Sequence, residues 1–180
     1  MRIIFYTSCF FLIACGEQTN DSSNHLMDGT DSIKELEMSE PRLNAVDFNN
    51  EMTFMQDAIL KQVDELFGSD SSNVDVNLEN TLFELELNLE SLANMKAPEK
   101  AEAFVTAMQN LMIFYRDELT GPFQEIIPLL KKADWSKADE KKVNDYDIRF
   151  VAAEKQWFDT VFAEQEKFAA AHNIKLEQEY

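Results

Sequence analysis

The chain has 180 residues and carries 34 acidic against 16 basic side chains, a formal charge of −18. Such a surface repels polyanions, and nucleic acid is excluded as a partner because its binding rests on lysine and arginine neutralising phosphates. Only two cysteines occur, Cys9 and Cys15, so the chain beyond them has neither a disulfide nor a thiol nucleophile and depends on its apolar core.

The chain opens with Met1-Arg2, then an apolar run from Ile3 to Ala14, ending Leu12-Ile13-Ala14-Cys15. A dozen residues is short of the roughly 20 that a membrane-spanning helix needs, and a basic start followed by such a run is the pattern of a cleaved signal. The ending resembles a bacterial lipobox. That resemblance implies cleavage before Cys15, diacylglycerol on its thiol, and a mature protein held to a membrane by lipid. Residues 1–14 are therefore the expected signal peptide, and Cys15 is the expected lipidation site.

Residues 15–45 read as the lipidated cysteine and a disordered, flexible polar tether, rich in Asn, Asp, Ser and Thr and nearly without apolar periodicity. Some 30 coil residues span roughly 30 Å, enough to lift a domain clear of the headgroups. No basic cluster follows Cys15, so electrostatic attraction to anionic lipid adds nothing to the acyl anchor.

Residues 46–176 form the expected domain, with helical periodicity repeated four times. Met52, Met55, Ile59, Val63 and Leu66 predict a first helix over Glu51 to Phe67, with Asn49-Asn50 as cap. Leu78, Leu82, Leu85, Leu89 and Leu92 form a leucine seam in the second, with Glu79, Glu84, Glu86 and Glu90 on its other faces. Pro98 suits the first turn of a third helix, whose core face is Ala101, Phe104, Met108, Leu111 and Tyr115. The fourth starts at Ser136, with Asp139 placed for a capping box. It continues through Val143, Tyr146, Phe150, Ala153, Trp157 and Val161 to about Ala171, roughly 50 Å of helix. Short connections make neighbours antiparallel. The fold class is all-α, an up-down-up-down four-helix bundle.

Pro122 and Pro128 disturb this pattern, since each lacks an N–H and crowds the carbonyl four residues back. The third helix is expected to kink at Gly121-Pro122. Continued to Lys132, it would project with the fourth helix as a hairpin, and Phe123, Ile126, Ile127 and Trp135 would line a ligand or partner groove. The competing expectation is that this segment bends over the bundle end and buries those side chains.

No catalytic constellation emerges. The only histidines are His25, in the tether, and His172, at the end of the last helix. Neither follows the Glu-x-x-His spacing of a di-iron bundle, and no phosphate-binding glycine loop occurs. Asn73, Asp75, Asn77 and Glu84 match four positions of a calcium loop, but Leu78 occupies the place that needs glycine. Neither cofactor nor metal site is expected.

The lipobox, the polar tether, Phe114-Tyr115, Glu125-Ile126-Ile127-Pro128-Leu129-Leu130 and the final Glu166-Lys167-Phe168-Ala169-Ala170-Ala171-His172-Asn173 together resemble the uncharacterised helical surface lipoproteins of Bacteroidota and spirochaetes. The resemblance implies outer-membrane anchoring and supplies no catalytic residues. The expected function is that of a lipid-anchored, non-enzymatic domain binding another envelope protein. The alternative is a carrier of a small apolar ligand or a metal ion in the bundle.

Overall fold

The computed structural model describes Leu12–Ala14 and residues 43–178. The expected lipidation site Cys15, His25 and most of the expected signal and tether lie outside the described residues. Five α-helices make up the body of the described structure: α1 (Ala45–Phe67), α2 (Val74–Asn94), α3 (Glu102–Thr120), the single-turn α4 (Ile127–Leu130) and α5 (Lys137–His172). A 3-10 turn, Pro122–Glu125, separates α3 from α4. Leu12–Ala14 (β1) pairs antiparallel with Leu176–Gln178 (β2) in a three-residue ladder, Leu12 opposite Gln178.

Helix α1 begins six residues before the expected start. Asn44 caps it, its Oδ1 accepting from the amides of Val46 and Asp47 at 3.1 and 2.9 Å. Asn49, expected near the cap, is instead a fully buried residue inside the helix. Helix α2 starts at Val74, ahead of the leucine seam, so the calcium-like positions Asp75, Asn77 and Glu84 belong to a regular helix. The Asn77 amide donates to Ser69 Oγ at 2.6 Å and so pins the connection between α1 and α2.

Helix α3 begins four residues after Pro98 because Lys100 takes the left-handed conformation, with φ of 63°, which ends any regular helix at that point. Helix α5 starts where the sequence places it. Ser136 Oγ accepts from the Asp139 amide at 3.2 Å, and Asp139 Oδ2 accepts from the Ser136 amide at 3.0 Å. These are the two reciprocal bonds of a capping box.

Helix α1 packs on α2, α2 on α3, and α3 on α5, with α1 also touching both α3 and α5. All five seam residues expected of α1 are buried, as are Ala101, Phe104, Met108, Leu111 and Tyr115 at α3. Rings knit the helices together. Phe48 of α1 lies 6.0 Å from Phe104 and 5.0 Å from Phe168, and Phe67 lies 4.9 Å from Phe150. Met52, Met55, Met108 and Met112 fill the remaining gaps as core side chains.

The projecting hairpin is not formed. Helix α3 stops at Thr120, where Gly121 brings its backbone against the Asp117 carbonyl so closely that a Cβ would stand 2.8 Å from the oxygen. Leaving three large apolar side chains in water would forgo about 1.5–3 kcal/mol each, which favours turning the chain back over the core.

Candidate functional site

The four residues expected to line a groove are accounted for by the core. Phe123, Ile126 and Ile127 are buried, and Phe123 sets its ring 5.2 Å from Phe67 and 5.8 Å from Tyr146. Trp135 is half-buried, and its indole Nε1 donates to the Leu129 carbonyl at 2.7 Å. Gln124 Nε2 donates to the Leu119 carbonyl at 2.6 Å, so one carbonyl at the end of α3 has found a side-chain partner. These contacts replace the expected groove by a closed bundle end.

Two polar arrangements are buried inside the bundle. Near one end, Gln165 Nε2 of α5 donates to Asn49 Oδ1 of α1 at 3.1 Å, with Thr53 Oγ1 at 3.3 Å. Farther along, the Tyr115 hydroxyl of α3 donates to Glu154 Oε1 of α5 at 2.6 Å. Burial is the largest influence on Glu154 and raises its pKa. The Tyr115 bond opposes this, while Asp64 and Asp147 add like charge and raise it further. One turn away, Arg149 makes a bidentate pair with Glu118 at 2.7 and 2.8 Å and lies over the Tyr146 ring.

Both arrangements join helices across the core and read as registration devices. Among the described residues, no group of three or more His, Cys, Asp or Glu is placed to hold a metal ion. His172 spends Nε2 on the Glu99 carbonyl at 2.9 Å, closing the loop before α3 onto the end of α5.

The open surface is elsewhere. Between α2 and α3 lies a depression of about 530 Å³, lined by Phe83, Glu86, Leu87 and Glu90 from α2 and by Ile113 and Arg116 from α3. Phe83 is 63% exposed and Leu87 44%, and Val76, seven residues before Phe83 along the helix, is 56% exposed. Spacings of seven and four put the three on one stripe of α2. This stripe faces away from the seam of Leu78, Leu85 and Leu92, which is buried. Phe54 on α1 and Ile148 on α5 are also largely exposed, but neither lines the depression.

Acid frames this apolar strip. From Val74 to Asn94 the helix carries Asp75, Glu79, Glu84, Glu86 and Glu90 and no lysine or arginine. Arg116 approaches from α3, 4.0 Å from Glu86 and 3.1 Å from its neighbour Asp117. Phe83 and Leu87 interrupt the polar face of α2, a signal present in the sequence but masked by the stronger leucine seam.

No family model matches the chain, and no curated protein or solved structure was found similar to it. Among the described residues, no helix is long and apolar enough to cross a membrane.

Proposed function

We propose that this chain is a bacterial envelope lipoprotein, anchored to the outer membrane through Cys15, whose helical domain binds another protein and performs no chemistry. The observation that carries the binding reading is the depression between α2 and α3, where Phe83 and Leu87 stand in solvent beside Ile113. Large apolar side chains grouped on a helix face are the usual ground of a helix-recognising surface. A shallow, open depression of this kind suits a protein segment better than an enclosed small ligand. The anchor reading rests on Leu12-Ile13-Ala14-Cys15 and on the absence of any other cysteine after Cys9.

In this reading the helices run up-down-up-down, and the third is kinked at Gly121-Pro122 so that α4 folds over the bundle end. Pairings across the core support the order. Thr81 bonds the Gln62 carbonyl while Asn77 bonds that of Glu65, so numbering rises along α1 as it falls along α2. Glu118 meets Arg149 while Phe104 meets Phe168, and Phe48 meets Phe168 while Phe67 meets Phe150.

Cleavage before Cys15 would separate β1 from β2. A three-residue, two-stranded ladder is marginal by itself, and the mature domain would lose it together with the packing of β1 against α1.

The experiment places a photo-reactive benzoylphenylalanine at Leu87 of the full-length chain in its native envelope, with the same group at Lys141 as control. A discrete protein adduct from position 87 alone supports the reading. Equal adducts from both positions, or none from either, contradict it.

A further inference from the structure

Resting on that reading, we infer that the partner of the α2–α3 groove is a basic amphipathic helix of a second protein. The apolar strip alone would accept many occupants, and charge selects among them. Helix α2 carries five carboxylates and no cation beside Val76, Phe83 and Leu87, and Glu86 and Glu90 stand at the wall of the depression itself. Lys131 pairs with Asp75 at 2.5 Å and Arg116 approaches Glu86 at 4.0 Å, so Glu79, Glu84 and Glu90 supply most of the uncompensated charge.

The chain's own preceding segment is the wrong sign, with Glu17, Asp21, Asp28, Asp31, Glu35, Glu37 and Glu40 against Lys34 and Arg42. A second copy would set the acids of one α2 against the same acids of the other, and a like-charge face raises the cost of every such contact. An anionic lipid headgroup is repelled for the same reason. A helix with lysine or arginine flanking an apolar stripe satisfies both halves of the surface. Its apolar side chains cover Phe83, Leu87 and Ile113, while its cations meet the rim.

The length of the strip sets the size of the segment. Val76 to Glu90 is about 20 Å of helix at 1.5 Å per residue, room for a docked helix of about four turns. Arg116 is the cation in the wall, and it is directed at Glu86 and Asp117 rather than at Glu90.

The test uses the full-length protein in detergent and three synthetic peptides of about 18 residues. One is an amphipathic leucine–lysine helix, one has glutamate for each lysine, and one has the leucine–lysine composition scrambled to destroy the apolar face. The first should bind saturably, at least tenfold more tightly than either of the others. Its affinity should fall at least tenfold in the F83S/L87S variant and several-fold in E86Q/E90Q, and it should weaken as salt is raised because the rim charges are exposed. Circular dichroism of each variant verifies that the domain is folded.

Equal affinity for the ordered and scrambled peptides would overturn the inference by showing diffuse charge attraction. Unchanged affinity in both variants would overturn it by placing the peptide elsewhere. A Leu87 photo-adduct from the envelope, together with failure of the leucine–lysine peptide to bind, would refute the basic helix while leaving the groove as a docking face. Failure of both would remove the docking reading itself.

Discussion

The hydroxyl of Tyr115 donates to Glu154 Oε1 at 2.6 Å across the interface of α3 and α5, and both side chains are buried. Burial raises the pKa of this carboxyl above the ordinary 4.5, the Tyr115 bond opposes the shift, and Asp64 and Asp147 raise it further. The folded state therefore holds this proton more tightly than the unfolded state. Its contribution is fully present below the ordinary value and is lost as pH rises through the raised folded one.

Glu154→Gln keeps an acceptor for Tyr115 without the buried charge. It should raise the melting temperature at pH 8 and leave it nearly unchanged at pH 4. Glu154→Ala should destabilise by about 1–3 kcal/mol at either pH, since it removes the carboxyl that accepts from the Tyr115 hydroxyl and leaves a void at the α3–α5 interface. Thermal melts across that pH range check both, and a Glu154→Gln protein less stable than wild type at pH 8 would contradict the account.

At the start of α5, Lys132 is the largest influence on Asp139, with the amide and hydroxyl of Ser136 adding to it, and together they hold the carboxyl at about 2. A depressed carboxylate stabilises the fold above its ordinary value, and that support is lost as pH falls through about 2. Ser136→Ala breaks one half of the capping box and should cost about 1 kcal/mol. Urea titration measures it, and an unchanged midpoint would show that the cap is idle.

Gly121 tests the break after α3. Alanine at a helix end ordinarily stabilises slightly by restricting the unfolded chain. Here its Cβ would meet the Asp117 carbonyl oxygen at 2.8 Å, so Gly121→Ala should destabilise by about 1–3 kcal/mol. Phe123→Ala, which empties a buried site between Phe67 and Tyr146, should cost about 3–5 kcal/mol. Chemical denaturation of both variants checks the order, and a cost near zero for both would show that the segment lies loosely on the surface.

Much of the fold was legible because helical periodicity is a local signal. The stripes of Met52 to Leu66 and Leu78 to Leu92 follow from spacing alone, and Ser136 with Asp139 fixes a helix start through contacts three residues apart. Helix boundaries were misread where a backbone angle decides, as at Lys100, whose left-handed φ delays α3 past Pro98. Asn49 looked like a cap, but its partner Gln165 lies more than a hundred residues away. A separation of 39 residues likewise hid the Tyr115–Glu154 bond.

The segment around Phe123, Ile126 and Ile127 combined broken helical rules with apolar side chains, which suits a groove and a bundle end equally. Only tertiary packing separates them, and it buries all three. The groove on α2 left a fainter trace. Phe83 and Leu87 stand on the face opposite a dominant leucine seam, where an apolar residue counts as scatter until its exposure is seen.

The central claim, a binding domain delivered to a membrane by Cys15, is tested most directly by fatty-acid labelling and membrane fractionation of three full-length chains: wild type, Cys15→Ala and F83S/L87S. The account predicts that wild type and F83S/L87S are labelled and sediment with membranes, while Cys15→Ala is unlabelled and released. A Cys15→Ala chain that is labelled and membrane-bound as before would contradict it.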